Sequence, residues 1–184
     1  MTTNTDSFAK WLVHNEDEVW VKYCSIVERM QERNLMSYVK ELETLHKSRS
    51  GRRLMLKSKI NVDDLIQVNL EDMSYRSRFV EIQIQINRLH RTLEVALDAT
   101  TNHIMSNHAA QLVLHSGKTK ADRAAFVETM LSAGWLLLSR MDNITSICAD
   151  LIKDIDQAAW ATKNLVELIK LSIHHENIVK QSEI

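Results

Sequence analysis

The sequence predicts an all-α protein: a long antiparallel helical hairpin of coiled-coil type, preceded by an N-terminal helical pair. The 184-residue chain has no proline and three glycines, so most of its length lacks the residues that break helices or make tight turns. Apolar residues make up 45% of the chain, enough to build a core. In two long stretches these apolar residues recur at alternating steps of three and four, which is typical of one face of a coiled-coil helix.

The N-terminal region predicts two helices within residues 6–46. Apolar residues recur through 8–30 and again through 35–45, and the segment SRSG at 48–51 then interrupts the pattern. Because Ser and Gly weaken a helix, we place a junction there. The predicted division is a helical pair in 1–47, a basic linker in 48–60, and a helical hairpin with the oligomerisation region in 61–184.

The first arm of the hairpin has a well-marked start. Asn61 is a predicted N-cap, and Asp63 and Asp64 fall in the first turn, where the helix dipole favours negative charge. One apolar seam follows, and its members are Leu65, Val68, Asp72, Tyr75, Phe79, Ile82, Ile86, Leu89, Leu93, Ala96, Thr100 and His103. At 1.5 Å per residue this seam would span about 58 Å, so the arm needs a partner helix.

The second arm supplies that partner. Ser116 and Gly117 predict a turn, and Thr119 and Asp122 have the spacing of a capping box. The seam that follows comprises Met130, Gly134, Leu137, Met141, Ile144, Cys148, Leu151, Ile155, Ala158, Thr162, Leu165 and Ile169. A second seam runs beside it through Leu131, Leu138, Ile152, Ala159, Val166 and Ile173.

The double seam predicts self-association, because one seam suffices to close the hairpin and the other leaves apolar surface in water. Two tryptophans of this arm are predicted interface anchors. The predicted oligomer interface consists of Leu131, Trp135, Leu138, Ile152, Trp160 and Val166. The alternative is a monomeric bundle in which the N-terminal helices cover the extra seam.

A basic segment is the strongest polar signal in a chain whose formal net charge is only −1. Its cations are Lys47, Arg49, Arg52, Arg53, Lys57 and Lys59, with no acidic residue among them. Such a segment could follow a phosphate backbone, although no aromatic residue lies within it to stack on bases; the alternative is a solvated linker. Cations on the first arm are further candidates or ordinary surface charge: Arg76, Arg78, Arg88 and Arg91.

No arrangement of residues predicts catalysis, a cofactor or a metal site. Gly117-Lys118-Thr119 resembles the end of a phosphate-binding loop, but Leu112 stands where that motif requires glycine. His103 and His108 are five positions apart, whereas helical metal ligands are spaced by three or four. Cys148 reads as a core residue. The polar N-terminus and short apolar runs predict no signal peptide and no membrane span, so we expect a reducing, cytoplasmic setting.

The long arms resemble the UvsY-type recombination mediators of bacteriophages over about residues 62–171. The similarity rests on four short stretches, which are Tyr75-Arg76 with Arg78-Phe79, Val95-Ala96-Leu97, Lys120-Ala121-Asp122-Arg123, and Trp160 with Lys163-Asn164-Leu165. This resemblance implies a non-enzymatic homo-oligomer, assembled chiefly through its C-terminal helix. It also implies binding to single-stranded DNA and, in the host bacterium's cytoplasm, loading of a recombinase onto DNA coated by single-strand-binding protein.

The sequence departs from that family just after Val95-Ala96-Leu97. The family typically places a Lys/Arg pair there, and this chain has Asp98 and Thr100 instead. Two expectations follow. Either DNA binding has moved, for example to the basic segment in 47–59, or the chain keeps the scaffold and acts as a protein-binding module, such as a phage inhibitor or a structural assembly factor.

Overall fold

The protein is all-α, as the sequence predicts. The computed structural model describes residues 4–32, 35–55 and 62–182. For residues 32, 52–55 and 176–182 it describes the backbone but not the side chains. Over these residues it has seven helices and no strand: α1 (Asn4–His14), α2 (Glu18–Glu32), α3 (Leu35–Met55), α4 (Val62–Asn107), α5 (Ala109–His115), α6 (Lys120–Met130) and α7 (Ser132–Ser182). None of the described helices is both long and apolar enough to cross a bilayer.

The N-terminal region contains three helices, so the prediction of two was wrong. The apolar pattern of 8–30 is split by a turn in which Asn15 Nδ2 donates to the Trp11 carbonyl oxygen (2.8 Å) and Glu16 adopts a φ of 52°. Asp17 then caps α2, because its Oδ1 accepts a hydrogen bond from the Trp20 backbone N–H (2.8 Å). Apolar spacing alone does not reveal this turn, since the residues on both sides of it are buried.

Helix α3 continues through residues 48–51, where we expected a junction, and is described to Met55. The helix continues because tertiary contacts hold it. Arg49 is buried and paired with acidic side chains, so this turn of helix is held from outside, and Gly51 is exposed with no atom near the position of a Cβ. The basic residues up to Met55 therefore belong to a helix, and the three-part division by segment stays a prediction.

The chain forms two compact units, each made from two segments. Unit 1 comprises Met1–Ser37 and Gln85–Thr145, and unit 2 comprises Tyr38–Ile84 and Ser146–Ile184. Helices α4 and α7 contribute to both cores. In unit 1 the fully buried apolar side chains include Phe8, Leu12, Ile86, Leu93, Leu97, Ile104, Leu112, Leu131 and Met141, and in unit 2 Phe79, Ile82, Cys148 and Ile155. Each such side chain contributes about 1.5–3 kcal/mol through burial.

The predicted features of α4 and α6 are largely confirmed. Helix α4 has Asp63 and Asp64 in its first turn, while its predicted cap, Asn61, lies outside the described residues. Most of its seam is buried. Helix α6 begins with the predicted capping box: the Asp122 N–H donates to Thr119 Oγ1 (3.0 Å), and the Thr119 N–H donates to Asp122 Oδ2 (3.3 Å).

Gly134 has a packing role in unit 1. A Cβ at this position would lie 2.7 Å from the hydroxyl oxygen of Tyr23 in α2 and 2.9 Å from Cδ2 of Leu97 in α4. The Tyr23 hydroxyl in turn donates to the Leu131 carbonyl oxygen (3.3 Å), at the end of α6. The missing side chain therefore lets α7 approach both helices closely.

Candidate functional site

Arg49, one of the predicted DNA contacts, lies inside unit 2. Its side chain is 3% exposed, and its guanidinium makes a forked contact with Asp72, with Nε 3.0 Å from Oδ1 and Nη2 3.4 Å from Oδ2. Its Nη1 pairs with Asp154. Burial by itself would lower the pKa of Arg49, but hydrogen bonds to Asp154 and Asp72 raise it. Arg49 is thus held within the core and turned away from any solvent-borne phosphate.

Arg76 and Arg78 are also committed to ion pairs in unit 2. Arg76 contacts both carboxylate oxygens of Asp156, at 2.8 and 3.3 Å. Arg78 donates to Glu41 (2.6 Å) and Glu81 (2.8 Å). These pairs are partly exposed, so each contributes at most about 1 kcal/mol, but a phosphate would have to compete with them.

The other predicted DNA-binding residues divide into two groups. Lys47 is exposed on α3. Arg52 and Arg53 belong to the same helix, but their side chains are not among those that the structure describes. Lys57 and Lys59 lie wholly outside the described residues. Of the predicted DNA-binding side chains that can be located, Lys47 remains available at the surface.

Cations of α2 and α4 line a groove of about 780 Å³ in unit 1, between these two helices. Lys22, Arg88 and Arg91 are exposed, and within the described part of the chain none of them has an ion-pair partner. Glu18 is the acidic residue of the lining. Apolar walls complete the groove, formed by Val19, Tyr23, Ile26, Val95, Ala96 and Ala99.

The six predicted interface residues differ in accessibility. Leu131 and Leu138 are buried within the single chain, whereas Ile152 and Val166 are half-buried. Trp135 is 40% exposed and Trp160 is 69% exposed. The predicted second seam is thus covered at its start and becomes progressively open along α7.

The later part of α7 carries an apolar surface that stays exposed among the residues that the structure describes. Every side chain described between positions 156 and 175 is at least partly exposed. Among the large apolar side chains of this stretch, Trp160, Leu168 and Leu171 are the most exposed, at 64–69%. At 100° per residue they lie within about 80° of one another and 120–160° around the helix from the buried Cys148 and Ile155. We call these three residues the outer stripe.

Unit 1 contains a cluster of three potential metal ligands, Asp17, His103 and His108. Both imidazole Nε2 atoms contact the same oxygen of Asp17, Oδ2, at 2.8 Å from His103 and 2.7 Å from His108. The three ligand atoms lie within 4.8 Å of one another. The Asp17 side chain is 8% exposed, and the two imidazoles are about one-fifth exposed.

The electrostatics of this cluster favour a charged carboxylate. Burial alone would raise the pKa of Asp17, but hydrogen bonds from the Trp20 backbone N–H, His103 and His108 lower it to about 2. His103 Nδ1 also lies 3.0 Å from the side-chain nitrogen of Asn107, and the ring of Trp11 meets His108 edge-on at 5.3 Å. The cluster is therefore an anion held by two positioned imidazoles.

Sequence spacing could not reveal this cluster. The i, i+5 spacing of His103 and His108 excludes a shared ligand on a regular helix, but α4 ends at Asn107 and His108 has φ −114° and ψ 20°. This bend brings the second imidazole round to the first. Asp17 lies in the turn between α1 and α2, which the apolar pattern did not predict, so no local signal pointed to it.

The cysteines do not add a reactive site. Cys148 is fully buried, which confirms its predicted place in the core, and burial raises the pKa of its thiol to about 11. Burial also raises the pKa of Cys24. Both cysteines are free thiols. Raised pKa values keep thiols protonated near neutral pH, where they are poor nucleophiles.

The chain matches no protein-family model, no curated protein and no solved structure at a significant level. Its resemblance to recombination mediators therefore rests on the short sequence motifs alone.

Proposed function

We propose that this protein is a non-catalytic helical assembly protein of the recombination-mediator type, whose copies associate through the outer stripe of α7. The observation that carries the proposal is the exposure of Trp160, Leu168 and Leu171 on the side of α7 opposite its buried face. Large apolar side chains that are exposed on one face of a helix, a tryptophan among them, are typical of an interface rather than of a free helix surface.

Two contacts between α4 and α7 in unit 1 support the hairpin on which this assembly depends. Thr145 Oγ1 donates to Asn87 Oδ1 (3.2 Å), and His90 Nε2 lies 3.1 Å from Asp142 Oδ1. The residue number rises along α4 while it falls along α7, which is the order expected of antiparallel helices.

Charge substitution in the outer stripe tests the assembly. Trp160→Glu should weaken self-association by about 2 kcal/mol or more, equivalent to about 30-fold, because buried tryptophans are among the residues that carry most of the binding energy of interfaces. Leu171→Glu should act in the same direction. Size-exclusion chromatography with light scattering measures the effect, and Val13→Glu provides the matched control because Val13 is a similarly exposed apolar residue on α1. Equal assembly of all four proteins would remove the proposed interface.

Single-stranded DNA is the proposed ligand of the assembly. Lys22, Arg88 and Arg91 support this choice, since three exposed cations converge on one groove against a single carboxylate. Lys47 adds an exposed cation in unit 2. As in the resembling mediators, the bound strand would be offered to a recombinase that replaces single-strand-binding protein.

Fluorescence anisotropy with a labelled single-stranded oligonucleotide tests the ligand. Binding should weaken steeply as salt rises, because each neutralised phosphate releases counterions. The double variant Arg88→Ala/Arg91→Ala should lower the salt slope and weaken binding to every base sequence similarly. Arg140→Ala, which removes an exposed cation from α7 outside the groove, is the control and should change neither.

A protein-binding module without nucleic-acid affinity is the second candidate. It is favoured by the use of Arg49, Arg76 and Arg78 in intramolecular ion pairs, which occupies cations that a DNA-binding surface would expose. Assembly without DNA binding at low salt would select this candidate and reject the mediator.

A further inference from the structure

The Asp17, His103 and His108 cluster shares no residue with the outer stripe or with the lining of the cationic groove, and the proposed function makes no use of it. We propose that this cluster is a binding site for one divalent transition-metal ion per chain, with Zn²⁺ as the best-suited ion. Two imidazole nitrogens and one carboxylate oxygen form a donor set that suits Zn²⁺ better than the hard, all-oxygen preference of Mg²⁺ or Ca²⁺.

The distances need little adjustment to admit the ion. In tetrahedral coordination with bonds of about 2.0–2.1 Å, neighbouring ligand atoms lie about 3.3 Å apart. Each Nε2 is now 2.7–2.8 Å from Asp17 Oδ2, so each contact must lengthen by about half an ångström. The ion would replace two N–H···O hydrogen bonds with three coordinate bonds, once both Nε2 atoms have released their protons.

The surroundings already hold the three ligands in place. Asp17 Oδ1 accepts from the Trp20 backbone N–H, which fixes the carboxylate and leaves Oδ2 facing the imidazoles. His103 Nδ1 lies beside the Asn107 side-chain amide, and a turned-over amide would accept the Nδ1–H that metal binding at Nε2 requires. The Trp11 ring packs against His108. These outer contacts are of the kind that orient metal ligands in known sites.

The site has three protein ligands and partly exposed imidazoles, so a fourth position remains for water or an anionic oxygen ligand. Within unit 1 the ion would fasten the turn between α1 and α2 to the end of α4, linking residues 86 and 91 positions apart in the chain. A structural hydrogen-bond network without metal is the competing interpretation, and it predicts no ion binding.

The test uses the full chain after chelation and dialysis. To remove a background site at the adjacent exposed histidines, the reference protein carries His174→Ala and His175→Ala. Isothermal titration with Zn²⁺ should give one ion per chain. Titration with Co²⁺ should produce the visible absorption bands of a four-coordinate nitrogen–oxygen site, which reports the donor set directly and does not depend on any further variant.

Substitution of each ligand then assigns the site. Asp17→Asn and His103→Ala should each weaken Zn²⁺ binding by at least about 100-fold, since loss of an outer-shell partner alone typically costs 10–100-fold. His46→Ala removes an exposed histidine from α3 and should leave binding unchanged. Circular dichroism confirms that each variant is helical. The proposal is overturned by an absence of stoichiometric binding in the reference protein, or by undiminished binding in folded Asp17→Asn and His103→Ala.

Discussion

Replacing Arg49 by methionine should destabilise the protein strongly and leave its DNA affinity unchanged. Methionine keeps much of the apolar stem of arginine but removes the guanidinium, so the buried Asp72 carboxylate loses its forked contact. Both side chains of this pair are 3% exposed.

The expected magnitude follows from this burial. Removing one partner of a buried ion pair typically costs about 3–5 kcal/mol. For a chain of this length, such a loss lowers the melting temperature by about 8–13 °C. Asp154 is 57% exposed, so Asp154→Ala should cost only about 1 kcal/mol or less. The double variant Arg49→Met/Asp72→Leu removes both charges and should recover most of the loss.

The coupling energy between Arg49 and Asp72 is measured by urea unfolding of four proteins: wild type, Arg49→Met, Asp72→Leu and the double variant. Fluorescence anisotropy at low temperature measures DNA binding by the folded forms. If Arg49→Met retains full stability and loses DNA affinity, Arg49 is a DNA contact at the surface and its placement in the core is wrong. Additive effects of the two single variants would likewise contradict the forked pair.

Three further perturbations probe unit 1, and Gly51→Ala in unit 2 serves as a contrast to the first of them. Gly134→Ala should destabilise the protein by about 1–2 kcal/mol in thermal unfolding, because overpacking against Tyr23 and Leu97 outweighs the gain of up to about 1 kcal/mol in helix propensity. Gly51→Ala should instead stabilise the protein, because the space around its Cβ is open. Thr119→Ala should cost about 1 kcal/mol by removing the α6 cap, and no loss of stability would contradict the capping box. The lowered pKa of Asp17 contributes about 2 kcal/mol to the free energy of unfolding, and this contribution is present above about pH 4 and lost as the pH falls to about 2. The difference in stability between wild type and Asp17→Asn should therefore become smaller between about pH 4 and about pH 2. A pH-independent difference would refute that linkage.

The sequence predicted those parts of the fold that depend on local spacing. The seam of α4 repeats at steps of three and four, and residues such as Phe79, Ile82, Ile86 and Leu93 are fully buried. The capping box of α6 has a fixed three-residue spacing and a side-chain chemistry that acts within one turn. Both features can be recognised because the interacting groups are neighbours along the chain.

The remainder depends on contacts that are distant in sequence. The segment 48–51 looks like a helix break, yet Arg49 finds its partners 23 and 105 residues away, and α3 continues. From the local composition we expected Arg49 to be exposed to solvent and to contact DNA phosphates. His103 and His108 meet because the chain bends at His108, and their shared partner is separated from them by 86 and 91 positions. No helical period encodes such a convergence.

Sedimentation velocity of the wild-type chain shows whether copies of the protein assemble through the outer stripe of α7. Over about 1–100 µM, we expect species larger than the 21.3 kDa monomer, shifted towards the monomer by Trp160→Glu and unchanged by Val13→Glu. A monomer at every concentration would contradict the claim, and so would an assembly that Trp160→Glu leaves intact.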